Sequence, residues 1–124
     1  MIEKTLRALR GAVCASNDGA DIAAGAAELY DELFRRNGLA EGDILSLEFS
    51  VTQDLNALNP ASALRRSGRA GEAAMMVFQE AVFRDTLPGT IRVLVLCYMD
   101  KKRPPEHVYF RGAEILRPDR TGKP

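Results

Sequence analysis

The chain has 124 residues, enough for one domain over 1–124 and too few for two. Lysine plus arginine equals aspartate plus glutamate, 17 of each, so overall charge gives no pull toward nucleic acid or an anionic membrane, and neither partner is expected. Hydrophobic residues make up 46%, enough for a packed core, but so small a domain leaves much surface exposed, and association of identical copies would cover part of it.

Cys14 and Cys97 lie far apart within apolar segments and read as buried, reduced thiols, which suits a cytoplasmic location. The opening MIEKTLRALRGAV lacks the apolar stretch of a secretory signal. No run approaches the ~20 apolar residues of a membrane helix.

Residues 4–15, KTLRALRGAVCA, read as a first strand with Leu6, Ala8, Arg10 and Ala12 on one face and Leu9 and Val13 on the other. After SNDG, residues 20–37 form the strongest helix, with a stripe of Ile22, Ala26, Leu29 and Leu33, Arg35 and Arg36 in the last turn, and Gly38 as its stop. Residues 44–52 alternate as a strand with Leu45, Leu47, Phe49 and Val51 facing one way. QDLNALNP is a loop, and Asn59-Pro60 reads as an N-cap followed by proline at the first helical position of a short helix ending near Gly68. Residues 73–78, AAMMVF, read as a buried strand closed by Gln79-Glu80. A short helical turn is expected around 82–87, with Pro88-Gly89 as a break. Residues 90–99 form a strand apolar on both faces, KKRPP a loop, and 107–116 the last strand. Residues 117–124, RPDRTGKP, read as a mobile tail. The order β-α-β-α-β-β-β predicts an α+β domain, a mixed sheet with helices on one face. The other face would need cover, and self-association around a symmetry axis would supply it.

Several chemistries lack their residues. The sole histidine, His107, sits in an expected strand and reads as structural, with no nucleophile elbow in the chain to accompany it. No CxxC or HxxxH spacing suggests a metal site, and neither a P-loop nor GxGxxG suggests a nucleotide, so no metal or cofactor is expected. What remains is a set of arginines at strands and strand ends: Arg10 inside the first strand, Arg92 at the start of an apolar one, Arg117 after the last, and Arg65 on the short helix. A single strand arginine can simply reach solvent at the sheet edge. Several held in apolar surroundings call for anions, and the planar guanidinium matches carboxylates, which points to a small dianionic ligand.

Five segments carry a family resemblance: LRGAV at 9–13, SVTQDLNALNPASALR at 50–65, FQE at 78–80, IRVLV at 91–95 and HVYFRGAEILRPD at 107–119. In their order and spacing across most of the chain they resemble the Bacillus-type chorismate mutases, a class distinct from the all-helical ones. The resemblance implies a homotrimer with clefts at subunit interfaces and chorismate as substrate. It implies that Arg10, Arg65, Arg92 and Tyr109 engage the substrate's carboxylates or ether oxygen, and that Glu80 accepts from the ring hydroxyl. Arg117 would help close the cleft, with Leu116 beside it. Three positions depart from the family pattern, which often has an aromatic at Asn59, a lysine at Ser62 and a cysteine at Val77. Asn59 and Ser62 would lie near the cleft mouth and Val77 near the ring hydroxyl, so weaker binding is expected rather than lost activity.

The rearrangement of chorismate to prephenate is unimolecular and concerted, needing no acid, base, metal or cofactor. A protein can speed it by holding the compact conformer and by meeting negative charge that develops on the ether oxygen, where Arg92 is the candidate donor. Glu80 would sit opposite, toward the positively polarised ring. A second reading of the same clamp is a non-catalytic trimer that binds a small carboxylate. Such a binder would need neither the ether-oxygen donor Arg92 nor the hydroxyl acceptor Glu80. A third reading, a trimeric imine deaminase of similar shape, lacks its arginine context in this sequence.

Overall fold

The expected order of elements holds. Strand β1 spans Lys4–Cys14, helix α1 Gly19–Asn37, β2 Ile44–Val51, α2 Pro60–Arg66, β3 Ala74–Gln79, β4 Thr90–Asp100 and β5 Val108–Phe110, with 3-10 turns at Glu41–Asp43 and Ala113–Leu116. The computed structural model describes residues 2–117, so all of the expected tail except Arg117 lies outside the described residues.

The five strands form one mixed sheet in the order β3-β2-β4-β1-β5. β4 is central, antiparallel to β1 on one edge and to β2 on the other, while the outer pairs β1–β5 and β2–β3 are parallel. Both helices cover one face, where Leu9, Val13, Leu47, Phe49, Val93, Val95 and Met99 pack against Ile22, Leu29, Leu33 and Leu64. The α1 stripe read from the sequence is the buried one. Asp18 caps that helix through the Asp21 amide at 3.1 Å, and Gly38 ends it in the left-handed conformation. Asn59 caps α2 as expected, accepting from the amides of Ala61 and Ser62.

Four expectations change. A bulge between Ile44 and Ser46 turns Leu45 outward, and Ile44 takes the buried place instead. Residues 73–78 are not a buried strand: β3 is the sheet's edge, with Met76 59% and Phe78 48% exposed, because no described residue covers their side. No helix forms at 82–87. That segment is a loop closed by a reciprocal Phe83–Thr86 contact, the Phe83 amide donating to Thr86 Oγ1 at 2.6 Å and the Thr86 amide to the Phe83 carbonyl at 3.2 Å. The last strand stops at Phe110, because Arg111 (φ 56°) and Gly112 (φ 89°) are both left-handed and break the extended run before the turn Ala113–Leu116.

The open face has a period-two complement of its own: Leu6, Ala8, Arg10 and Ala12 on β1, Arg92, Leu94, Leu96 and Tyr98 on β4, Ser46, Glu48 and Ser50 on β2, and Met76 and Phe78 on β3. Leu6, Leu94 and Tyr98 are exposed there. The two cysteines also divide by face. Cys97 lies in the helix-side core, while Cys14 is half-buried and packs with Ala12, Tyr109 and Ala113 on the other side, so the sheet itself keeps the thiols apart.

Two outcomes follow from this packing. A Cβ on Gly11 would meet Leu29 Cδ1 at 2.8 Å and the Val108 carbonyl oxygen at 3.0 Å, so this glycine lets α1 and β5 close on β1. Gly11→Ala should cost ~1–3 kcal/mol, read from urea unfolding; an unchanged midpoint would show that α1 and β5 can shift freely. Burial pushes the Cys97 thiol up to about 11, which leaves only about one part in a thousand as thiolate at pH 8. A thiol reagent should therefore label Cys14 in the native protein and Cys97 only on unfolding. Equal native rates at both positions would contradict the buried placement.

Candidate active site

Strand register brings Arg10, Arg92 and Tyr109 onto the open face, with Glu80 one residue beyond β3. One row runs across the whole sheet: Phe78 beside Ser50, Ser50 beside Arg92, Arg92 beside Ala12, and Ala12 beside Tyr109. Ala12, small and fully buried, separates Arg92 from Tyr109 on this row. One row away, Arg10 stands beside Leu94, and Leu94 beside Glu48. Arg10, Glu48, Ser50, Phe78, Arg92 and Leu94 line a hollow of about 440 Å³.

Glu80 follows β3 by one residue. Its amide donates to the Val51 carbonyl at 2.8 Å, which extends the strand pairing and keeps Glu80 in phase with Met76 and Phe78. Its carboxylate thereby meets Arg92, whose Nε donates to Glu80 Oε1 at 2.9 Å; the side chains are 28% and 14% exposed. The expectation placed these groups on opposite sides of a ligand. In the chain alone they pair directly, which fixes the plane of the Arg92 guanidinium. Neither Nη of Arg92 hydrogen-bonds a described residue.

Tyr109 is buried against Ala12 and Ala113, with Leu116 and Cys14 packed on it. Arg117 follows the turn directly, its amide donating to the Glu114 carbonyl at 3.2 Å. This terminal segment is tied down by Arg111, which the sequence reading passed over. Its Nε donates to Glu28 at 3.0 Å, its Nη1 to the Cys14 carbonyl at 3.1 Å and its Nη2 to Asp21 at 3.2 Å. Asp21 also accepts from the Ser16 amide and hydroxyl; these bonds, with Arg111, hold its carboxyl below the usual range. His107 Nδ1 accepts the Arg10 amide at 3.0 Å, which anchors the start of β5 to β1. The stretch TQDLNA at 52–57 is fastened in a comparable way. Asp54 accepts from the Thr52 hydroxyl and the Gly89 amide, and Asn17 Oδ1 accepts the amides of Asn56 and Ala57, which fastens the loop beyond β2 near Glu80.

The remaining expected residues lie elsewhere. Asn59, Ser62, Arg65 and Val77 line a second hollow of about 330 Å³ at the free edge of β3, with Met75 and Met76. Val77 pairs with Phe49 and so points to the helix side of the sheet, opposite to Phe78. Arg65 Nη2 donates to the Ala73 carbonyl at 2.5 Å, and the side-chain oxygen of Asn59 is occupied by the cap of α2. Among the described residues no group of three or more His, Cys, Asp and Glu side chains converges to hold a metal, and no helix is long and apolar enough to cross a membrane.

Comparison with known proteins bears on this arrangement. The family described as chorismate mutase type I matches residues 6–120. The chain is 32% identical to chorismate mutase AroH of Thermus thermophilus over 117 residues, covering 92% of this chain and 95% of the relative. It is 28% identical to chorismate mutase AroH of Bacillus subtilis over 116 residues, covering 92% and 91%. Among solved structures, a chorismate mutase from Clostridium thermocellum superposes with a TM-score of 0.83 at 38% identity, covering 89% of this chain and 99% of that one. With the arginine-bearing sheet face, the Arg92–Glu80 pair and the buried tyrosine beside them, these matches show that the chain belongs to the chorismate mutase type I family.

Proposed function

We propose that this chain converts chorismate to prephenate in clefts shared between neighbouring copies of a cytoplasmic homotrimer, with no metal or other cofactor. The observation that carries the shared cleft is the division of the site residues by the edge strand β3. Arg10, Glu80, Arg92 and Tyr109 belong to the open face, while Asn59, Ser62, Arg65 and Val77 surround the hollow at the free edge. One small molecule cannot lie on both sides of a strand. It can lie between the open face of one copy and the β3 edge of the next. The exposed Leu94, Tyr98, Met76 and Phe78 favour the same arrangement, because apolar side chains grouped on one face are the part of a small domain that association would bury.

Within such a cleft the chemistry asks for little beyond position and charge. The substrate must be held in its compact conformer, so that the bond-forming carbons lie near one another as the ether C–O bond breaks. Arg10 and Tyr109, Arg117 beyond the turn that follows β5, and Arg65 of the neighbouring copy's β3 edge are suited to its two carboxylates. Negative charge grows on the ether oxygen as that bond breaks. Arg92 meets it with a guanidinium already oriented by Glu80, so little reorganisation remains for the moment of reaction. The second carboxylate oxygen of Glu80 is left to accept from the ring hydroxyl. A binder that only captured carboxylates would have no use for this oriented pair, which favours catalysis over storage or sensing.

Arg92→Lys tests the chemical step. It keeps the charge but loses both the planar fork and the Nε contact to Glu80. The kcat, followed by loss of chorismate absorbance, should fall by ~10² or more while folding and mass hold. Near-normal turnover would place the oxygen's partner elsewhere. The shared cleft has a separate test in co-assembly. Light scattering should give three times the 13.6 kDa chain mass. Arg65→Ala and Arg92→Ala, each deficient alone at low substrate, should regain roughly a quarter of normal activity when unfolded and refolded together, because mixed trimers rebuild intact interfaces. No recovery would mean that each site lies within one chain.

A further inference from the structure

The open face carries one charged side chain that the account above leaves without a role. Glu48 is the only charged residue of β2, and its cross-strand neighbours on that face are Leu94 and Met76. Its Oε1 is buried and has no hydrogen-bond partner among the described residues. A buried acceptor without a donor is costly, and the cost rises once a neighbouring copy excludes water from the face. A leucine or methionine would match the surroundings without that cost.

Glu48 lines the same hollow as Arg10 and Arg92. Arg92 already has a carboxylate in Glu80. The Arg10 guanidinium makes no hydrogen bond to a described residue; only its backbone amide is engaged, by His107. Arg10 and Glu48 face the same way with Leu94 between them, so their backbones are two strand spacings apart, about 10 Å. An arginine and a glutamate reaching toward each other over Leu94 span that separation.

We infer that Glu48 is a positioning residue for Arg10, the carboxylate that fixes this guanidinium in the closed cleft as Glu80 fixes that of Arg92. The inference rests on the shared-cleft reading for the water exclusion that drives the pairing. Each arginine of the face then has its own carboxylate. The anionic partner limits the orientations open to a long side chain, so Arg10 presents a preset donor pair to the substrate. Glu48 itself touches no reacting atom.

The test is a double-mutant cycle with a stability readout. Glu48→Gln keeps the side chain's shape without its charge, and Glu48→Leu removes the polar group from an apolar neighbourhood. Each should lower kcat/KM about tenfold, and neither should lower it further when added to Arg10→Ala, since there is then no guanidinium to position. Glu48→Leu should at the same time melt at or above the temperature of the unvaried protein. Losses that multiply with that of Arg10→Ala, unchanged kcat/KM in both variants, or a melting temperature that falls in step with activity would each overturn the assignment. Light scattering on the unvaried chain keeps the two readings apart. A fully active monomer removes the shared cleft, while the same cycle still reports whether Glu48 and Arg10 are coupled.

Discussion

A strand hydrogen-bonded along both edges has no freedom in the direction its side chains take. β4 is such a strand, paired with β1 from Thr90 to Asp100 and with β2 from Ile91 to Cys97. Its odd-numbered residues Ile91, Val93, Val95, Cys97 and Met99 enter the core, and its even-numbered ones Arg92, Leu94, Leu96 and Tyr98 form the opposite face. A slip of one residue would exchange the two sets, burying Arg92 under α1 and exposing the core. The core and the placement of Arg92 are therefore specified by the same eleven residues. The register that positions Arg92 is enforced by the whole apolar content of the strand on its other side.

The same face sets a problem that the chain does not solve alone. Exposed leucines, methionine and aromatics favour burial, while Arg10, Arg92, Glu48 and Glu80 resist it unless they are paired. Covering the face with another copy meets both demands. In the proposed assembly this would remove apolar surface from water and lower the effective dielectric around the charges, so that a donor such as Arg92 would act more strongly on charge developing in a ligand. The Arg92–Glu80 pair, already formed in the single chain, makes that burial tolerable for one of the two cations.

Much of this could be read from the sequence, because its strongest signals are periodic. The α1 stripe, the alternation of β1 and the Asn59-Pro60 cap are local patterns whose meaning needs no partner, and they lie where the residues placed them. The failures have non-local causes. A bulge at Ile44–Ser46 shifts the phase of β2 for one residue, and no property of Leu45 announces it. β3 looks like a buried strand because its apolar residues are real; what differs is that no described residue of the chain covers them. The break after Phe110 depends on Arg111 adopting a left-handed conformation that its three hydrogen-bond partners on β1 and α1 reinforce. Gly112 was the visible hint. The Arg92–Glu80 contact spans 12 positions and depends on β3 continuing one residue beyond its formal end, so the sequence offered both residues without their pairing.

The departures at Asn59, Ser62 and Val77 take on meaning from this geometry. Asn59 accepts from two amides at the start of α2, so the residue standing where the family often has an aromatic contributes the cap of the helix that carries Arg65. Such a cap is worth ~1 kcal/mol, and it fixes the first turn of a helix only seven residues long. The direction of Arg65 is set at its other end by the Ala73 carbonyl. The chain thus has less apolar cover at the edge of β3 but a firmly placed guanidinium there. With Ser62 in place of a lysine and Val77 apolar, Arg65 is the sole cation among the described residues that line that hollow. In the proposed cleft, recognition of a carboxylate from this side would rest on that one planar donor, with the helix that carries it capped by Asn59. The oriented pair on the opposite side of the sheet, Arg92 with Glu80, is untouched by any of the three changes.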